Sequence, residues 1–220
     1  METIQEAQTK ILKEITSDDV DVRANYLKHF ESDVEKFCNA MAHAVLSWQS
    51  LQEQAKDNDN LGLVSAWVIT AISLHILSIK LLVSGHTVAA GNLFRQVVET
   101  IALALLCSAK LDVIDKVRNG KYSTNKAVEQ LLRQAKQIGI DEVAIKALKV
   151  TQTFYNNYSH PTLHTIIWAG VSLSDSVPYV GAAFDEEKTE IYTKEIERRL
   201  DLASVFSNFV DAVKVNVAKW

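Results

Sequence analysis

The scarcity of proline and glycine constrains the fold of this chain more than any other feature of its sequence. Only two prolines and seven glycines interrupt 220 residues, and 48% of the chain is hydrophobic. A protein built of many short strands would need far more turn residues, whereas a chain of this length can bury one sizeable core. The sequence therefore predicts an all-α fold, an up-and-down helical bundle, with residues 1–220 forming a single domain.

Apolar residues recur at helical spacing along most of the chain, and polar or glycine-containing stretches separate these segments. Two neighbouring apolar segments, Leu61–Ser84 and His86–Lys110, are expected to form a helical hairpin, with Gly85 as the stop between them. The predicted helices cover residues 3–16, 20–55, 61–84, 86–110, 111–118, 123–138, 141–158 and 186–218. The last of them is expected to close the bundle.

Residues 165–185 differ in character from the helical segments around them. β-Branched and aromatic residues in Thr165–Trp168 and Pro178–Phe184 flank a serine-rich turn. This pattern favours a small β-hairpin, or an ordered loop, just before the last long helix.

The formal net charge of −4 provides no global basic field for nucleic acid, so any RNA contact would need a local cluster of lysine and arginine. Cys38 and Cys107 form no CxxC pair, and the acidic, polar N-terminus does not resemble a secretory signal. Both cysteines are expected to be reduced core thiols. These features favour a cytoplasmic protein.

The stretch from Leu61 to Ile79 carries no formal charge and approaches the length of a membrane span. Several polar side chains interrupt it, and the next apolar segment has Arg95 and Glu99 in its middle. An almost wholly apolar helix is also typical of the centre of a soluble bundle. We therefore expect a soluble protein without a membrane partner, in which His75 is a hydrogen-bonded core residue.

The polar residues that most suggest a site are Arg95, Glu99 and His160. Arg95 and Glu99 lie four residues apart and would share one face of an apolar helix, where burying an ion pair adds little net stability. Either they satisfy backbone groups at a loop that enters the bundle, or they orient the segment containing Asn156 and His160 or contact a ligand. His160 is expected at a helix end, where it could act as an acid or base near neutral pH.

No metal or cofactor is expected. Although His164 lies four residues after His160, Pro161 would break the helix needed to align the two rings as ligands. Glycine-rich phosphate loops, dinucleotide fingerprints and zinc-protease motifs do not occur in the sequence.

The segment Tyr155–His160, with the sequence YNNYSH, resembles the R-N-x-x-x-H signature of the HEPN superfamily. Asn156 and His160 match the asparagine and histidine of that signature, while Tyr155 occupies the position of its arginine. The helix with Arg95 and Glu99 resembles the charged helix of HEPN-like domains. The resemblance covers residues 60–165, and the segment 186–218 closes this HEPN-like core.

The resemblance implies a helical homodimer that cleaves RNA without a metal ion, in a toxin–antitoxin or antiphage defence system. By this analogy His160 would act on the ribose 2′-hydroxyl or the leaving oxygen, and Asn156 would orient it. An arginine would stabilise the charged phosphate. Because Tyr155 cannot supply that charge, Arg95, supported by Glu99, would have to approach His160. Tyr155 and Tyr158 would contact the substrate, and the implied partners are RNA and a cognate antitoxin protein.

The alternative function is a non-catalytic, dimeric helical protein-interaction module. In that case Arg95, Glu99, Asn156 and His160 would brace the ends of helices. The tyrosine at position 155 favours this alternative, since it removes the positive charge of the motif.

Overall fold

The computed structural model describes residues 3–160, 162–170, 179 and 181–220. All regular secondary structure within these residues is helical, which confirms the predicted all-α bundle. The α-helices are α1 (Ile4–Thr16), α2 (Val20–Gln54), α3 (Asp59–Val83), α4 (Thr87–Ala109), α5 (Leu111–Arg118), α6 (Ala127–Ile138), α7 (Glu142–Tyr155), α8 (Leu163–Gly170), α9 (Thr189–Ser204) and α10 (Phe206–Val217). Short 3-10 helices cover Thr124–Lys126, Asn156–Tyr158 and Glu186–Lys188.

Local capping explains where several helices begin and end. The side chain of Asn58 accepts hydrogen bonds from the backbone of Asn60 and Leu61 at the start of α3, and Asp141 accepts one from Val143 at the start of α7. Both satisfy backbone N–H groups that have no partner within the helix. Gly139 follows α6 with a positive φ of 76°, a conformation that favours glycine at a helix end.

The predicted β-hairpin is wrong in its first arm, because Thr165–Trp168 lies within α8. Thr162 and Thr165 cap the start of this helix reciprocally: the backbone N–H of each donates to the side-chain oxygen of the other, at 2.6 and 3.4 Å. Trp168 is buried, and its backbone carbonyl accepts a hydrogen bond from Thr87 on α4. The turn and most of the second arm, residues 171–178 and 180, lie outside the described residues.

The single long helix expected over residues 186–218 is also wrong, since the chain bends at Val205 between α9 and α10. No proline or glycine marks this bend. The hydroxyl of Ser204 donates instead to the carbonyl of Asp201, a local bond that competes with helix continuation. Phe206, the first residue after the bend, is fully buried.

The helix α4 lies at the centre of the bundle. It forms a hairpin with α3, while α6, α7 and α10 also pack against it. Every residue from Thr100 to Ser108 is buried, and its first half reaches the surface only in part. Arg95 and Glu99 therefore project from the most deeply packed helix of the fold.

Two of the described helices are long and apolar enough to cross a membrane by length and composition alone. They are α3, with a mean hydropathy of 1.9, and α4, with 1.3. A buried core helix passes the same test, and 67% of the most apolar window of α4 is buried inside the bundle, against 44% for α3.

Gly91 marks a close approach between α4 and the turn after α7. A Cβ atom at this position would overlap the ring of Tyr158. We expect Gly91→Ala to lower the free energy of unfolding by about 1–3 kcal/mol through overpacking, as measured by urea denaturation. Gly62→Ala is the matched control, because its Cβ would meet open space and alanine favours a helix by about 1 kcal/mol. A Gly91→Ala protein as stable as the Gly62→Ala protein would contradict this packing.

Candidate functional site

Arg95 connects the central helix to the turn that carries the predicted histidine. Its Nε donates to Oε1 of Glu99 at 3.0 Å, and its Nη1 donates to Oγ of Ser159 at 2.7 Å. Ser159 directly precedes His160, and consecutive Cα atoms are about 3.8 Å apart. The guanidinium group therefore lies next to the segment that contains His160.

Glu99 extends this cluster toward α7. Its Oε1 also accepts a hydrogen bond from Nε2 of Gln152 at 3.0 Å. The amide of Gln152 in turn donates to the carbonyl of Asn125 and accepts from Nζ of Lys149. Through these bonds α4, α7 and the 3-10 helix Thr124–Lys126 are tied together around one partly buried carboxylate.

Sequence reasoning missed Gln152, although a signal was present. It lies on the same face of α7 as Ile145 and Tyr155, at spacings of seven and three residues, and all three side chains are buried. A polar residue on an apolar face needs a hydrogen-bond partner. The carboxylate of Glu99 could have been proposed as that partner.

Asn156 and His160 lie at either end of the tight turn that follows α7. Asn156 begins the 3-10 helix and is half-buried, and its carbonyl accepts from the backbone N–H of Ser159. The carbonyl of His160 accepts from Oγ1 of Thr165 at 2.9 Å, while the residue itself is exposed. The backbone of the turn is thus fixed, and the imidazole of His160 is accessible to solvent.

Tyr155 and Tyr158 lie on the opposite side of this turn, in the interior. Both are buried, and their hydroxyls donate to the two oxygens of Glu195 at 2.7 and 3.3 Å. Burial raises the pKa of both phenols, so they remain protonated donors. Since neither ring reaches the surface beside His160, we leave both tyrosines out of the proposed site.

The carboxylate of Glu195, which accepts these hydrogen bonds, forms a buried ion pair with Arg199. Nη1 of Arg199 donates to Oε2 of Glu195 at 2.8 Å, and the half-buried Arg198 donates to Oε1 at 2.7 Å. Nε of Arg199 donates to Oγ of Ser78 on α3, and its guanidinium lies 4.8 Å from the centre of the Phe94 ring. Arg199 is completely inaccessible to solvent. This network holds α9 against α3 and the turn after α7.

His75 belongs to the same interior region. Its Nε2 lies 3.0 Å from the carbonyl of Arg199, so this nitrogen carries the proton, and the ring stacks on Phe94 and Phe206. Burial lowers the pKa of His75 to about 3, and the nearby charge of Arg199 acts in the same direction. The histidine is therefore neutral near pH 7, a hydrogen-bonded core residue as the sequence predicted.

Sequence reasoning also missed Glu195 and Arg199. The two lie four residues apart in the favourable order, with the acid first. They share a helical face with Tyr192 and Ala203, both of which are buried. This spacing was the available signal, but their partners Ser78 and Tyr155 come from distant parts of the chain.

Among the described residues, no group of three or more His, Cys, Asp or Glu side chains is arranged to hold a metal ion. Comparisons with protein-family models, with curated proteins and with solved structures found no match. The resemblance to HEPN proteins therefore rests on the segment Tyr155–His160 and on the charged pair of α4.

Proposed function

We propose that the surface formed by Arg95, Glu99, Asn156, Ser159 and His160 binds RNA and cleaves it without a metal ion. The observation that carries this proposal is the 2.7 Å hydrogen bond from Arg95 to Ser159. It puts a guanidinium group beside His160, although the residue in the arginine position of the motif, Tyr155, points into the core. Arginine binds phosphate well, because its planar fork of donors matches the phosphate oxygens.

Each residue would have a separate role in such a reaction. The exposed His160 would take the proton of the ribose 2′-hydroxyl or give one to the leaving 5′-oxygen. Arg95 would stabilise the negative charge of the pentavalent phosphate, and Asn156 would orient the histidine. The products would be a 2′,3′-cyclic phosphate and a 5′-hydroxyl.

Glu99 sets a limit on this activity. Its carboxylate holds the guanidinium of Arg95 in place but also neutralises part of its charge. We therefore expect weak cleavage, slower than a site with a free arginine would give. In a toxin–antitoxin or antiphage setting, cellular RNA would be the substrate, and a cognate antitoxin would cover this surface.

The test is incubation of the purified protein with total cellular RNA in EDTA. We expect cleavage by the wild type and a loss of about 100-fold or more in His160→Ala, the usual contribution of a general acid or base. His43→Ala is the matched control, because His43 is also exposed but lies on α2. Circular dichroism would establish that all three proteins are folded. Equal cleavage by wild type and His160→Ala would contradict the proposed role of the histidine.

A non-catalytic interaction module is the second candidate, and the bonding of the polar cluster favours it. Both Arg95 and Glu99 already make hydrogen bonds within the chain, to Ser159 and Gln152, and these bonds brace the turn after α7 against α4. This function predicts no cleavage by a folded wild type. It also predicts that Arg95→Ala lowers the free energy of unfolding.

A further inference from the structure

Positive charge is concentrated in one part of this chain, residues 110–149. This segment contains nine lysine and arginine residues but only five acidic residues, a net charge of +4 in a chain whose total is −4. The rest of the chain therefore carries a net charge of −8. Although the whole protein repels a polyanion, the region of α5, α6 and the first half of α7 can attract one locally.

Most of the cations in this segment have no acidic partner. Three form ion pairs with a carboxylate four residues away on the same helix: Lys116 with Asp112, Arg133 with Glu129 and Lys146 with Glu142. The other six form no ion pair with the residues that the structure describes: Lys110, Arg118, Lys121, Lys126, Lys136 and Lys149. Their charges remain available to an anionic ligand.

Lys149 connects this positive segment to the site around Arg95. Its Nζ donates to Oε1 of Gln152 at 3.2 Å, and Nε2 of Gln152 donates to Oε1 of Glu99 at 3.0 Å. The same oxygen of Glu99 accepts from Nε of Arg95 at 3.0 Å. Three hydrogen bonds in series thus join the two cations through a single carboxylate. Arg95, Glu99 and Lys149 together have a formal net charge of +1, which favours an anion beside them.

Lys126 extends the positive charge from this site onto α6. It is exposed and directly follows Asn125, whose carbonyl accepts from the amide of Gln152 at 3.2 Å. A groove of about 280 Å³ includes this lysine, and its lining residues are Lys126, Glu129, Gln130, Arg133 and Gln134. The chain rises by about 10 Å along the helix between Lys126 and Arg133. Cationic side chains therefore extend from the site around Arg95 to the middle of α6.

We propose that Lys126 and Lys149 bind backbone phosphates of a single RNA strand that runs from the site around Arg95 along α6. Proteins bind single strands in positively charged grooves that follow the backbone, whereas double-stranded RNA is bound across two successive minor grooves. The cations here lie beside one helix and continue into the site with His160. The inference rests on the proposed function for its ligand, RNA, but the two lysines supply affinity and take no part in bond cleavage.

The test measures RNA binding separately from cleavage. Every protein carries His160→Ala, and the anisotropy of a short fluorescent single-stranded RNA is followed in EDTA at several salt concentrations. For single strands, the slope of log K against log salt concentration changes by about 0.7 for each phosphate contact. We expect Lys126→Gln with Lys149→Gln to bind more weakly and to reduce the steepness of this slope by about 1.4.

Lys28→Gln with Lys36→Gln is the matched control. It removes the same amount of charge from two exposed lysines on α2 and should leave the slope unchanged. Because Lys149 bonds to Gln152, circular dichroism would establish that the variant without Lys126 and Lys149 is folded. If it is not, Lys126→Gln alone removes an exposed side chain and should reduce the steepness by about 0.7.

Equal slopes for the Lys126 and Lys149 variant and its control, or no RNA binding at all, would overturn the proposal. So would competition by double-stranded RNA, or by polyglutamate, as strong as competition by unlabelled single strands. In proteins that keep His160, we expect the two substitutions to raise KM and leave kcat nearly unchanged. No cleavage together with lysine-dependent binding would contradict the proposed function alone, whereas cleavage with lysine-independent binding would contradict this inference alone.

Discussion

Glu195→Gln is expected to lower the free energy of unfolding by about 3–5 kcal/mol, the usual effect of removing one partner from a buried ion pair. Arg199 is fully inaccessible to solvent, and its nearest counter-charge is the carboxylate of Glu195 at 2.8 Å. Glutamine keeps nearly the same shape but leaves the guanidinium without a negative charge. The hydroxyls of Tyr155 and Tyr158 also lose a charged acceptor, which adds to the cost.

Urea denaturation of four proteins would measure this effect. Glu197→Gln is the matched control, since Glu197 lies on the same helix but is exposed. The double variant Glu195→Gln with Arg199→Met removes both charges, and we expect it to be more stable than Glu195→Gln alone. If Glu195→Gln lost no more stability than Glu197→Gln, the ion pair would not be a main support of the fold.

Acidification is expected to destabilise the protein through His75. Its pKa in the folded state is about 3, whereas a histidine in an unfolded chain has a pKa of about 6.5. Between these values the unfolded state binds the extra proton, so the free energy of unfolding falls as the pH falls. Over the whole window this one residue contributes up to about 4–5 kcal/mol of stability that is present above pH 6.5 and lost near pH 3.

His75→Phe should remove this part of the pH dependence. Phenylalanine keeps the stacking on Phe94 and Phe206 and cannot take up a proton. The informative interval lies between pH 6.5 and 5, where most carboxylates stay ionised and the contribution of His75 is about 2 kcal/mol. The exposed His43 provides the control His43→Gln, which should keep the wild-type slope. An unchanged slope in His75→Phe would show that another group causes the acid sensitivity.

The buried network around Glu195 and the polar cluster around Arg95 lie on the two sides of the turn that follows α7. Tyr158 packs against Gly91 of α4, and its hydroxyl bonds to Glu195 of α9. The next two residues are Ser159 and His160. A core that fixes Tyr158 therefore also holds the backbone of the turn with Ser159 and His160 against α4.

Helical periodicity was enough to predict most of the fold, because apolar spacing directly determines which face of a helix is buried. It failed where local bonds decided the outcome. The side chains of Thr162 and Thr165 start a helix in a segment with strand-like composition, and the Ser204 hydroxyl accompanies a bend that no glycine or proline marks.

The candidate site was predictable only in part. Arg95 and Glu99 could be identified because two charges stood in an apolar segment. The hydrogen bond from Arg95 to Ser159 could not be predicted, because these residues lie 64 positions apart. The same holds for the bonds from Tyr155 and Tyr158 to Glu195, which span 40 and 37 positions. Tyr155 illustrates the difference, because its place in the motif suggested a surface role and packing put it in the core.

The most direct test of the proposed site is the rate at which wild type and Arg95→Ala cleave one end-labelled RNA in EDTA under single-turnover conditions. We predict that the wild type leaves a 2′,3′-cyclic phosphate and that Arg95→Ala is slower by about 100-fold or more, the typical loss when one contact that stabilises the transition state is removed. Equal rates for the two folded proteins, or no cleavage by the wild type, would contradict the proposal that Arg95 supplies the charge missing at position 155.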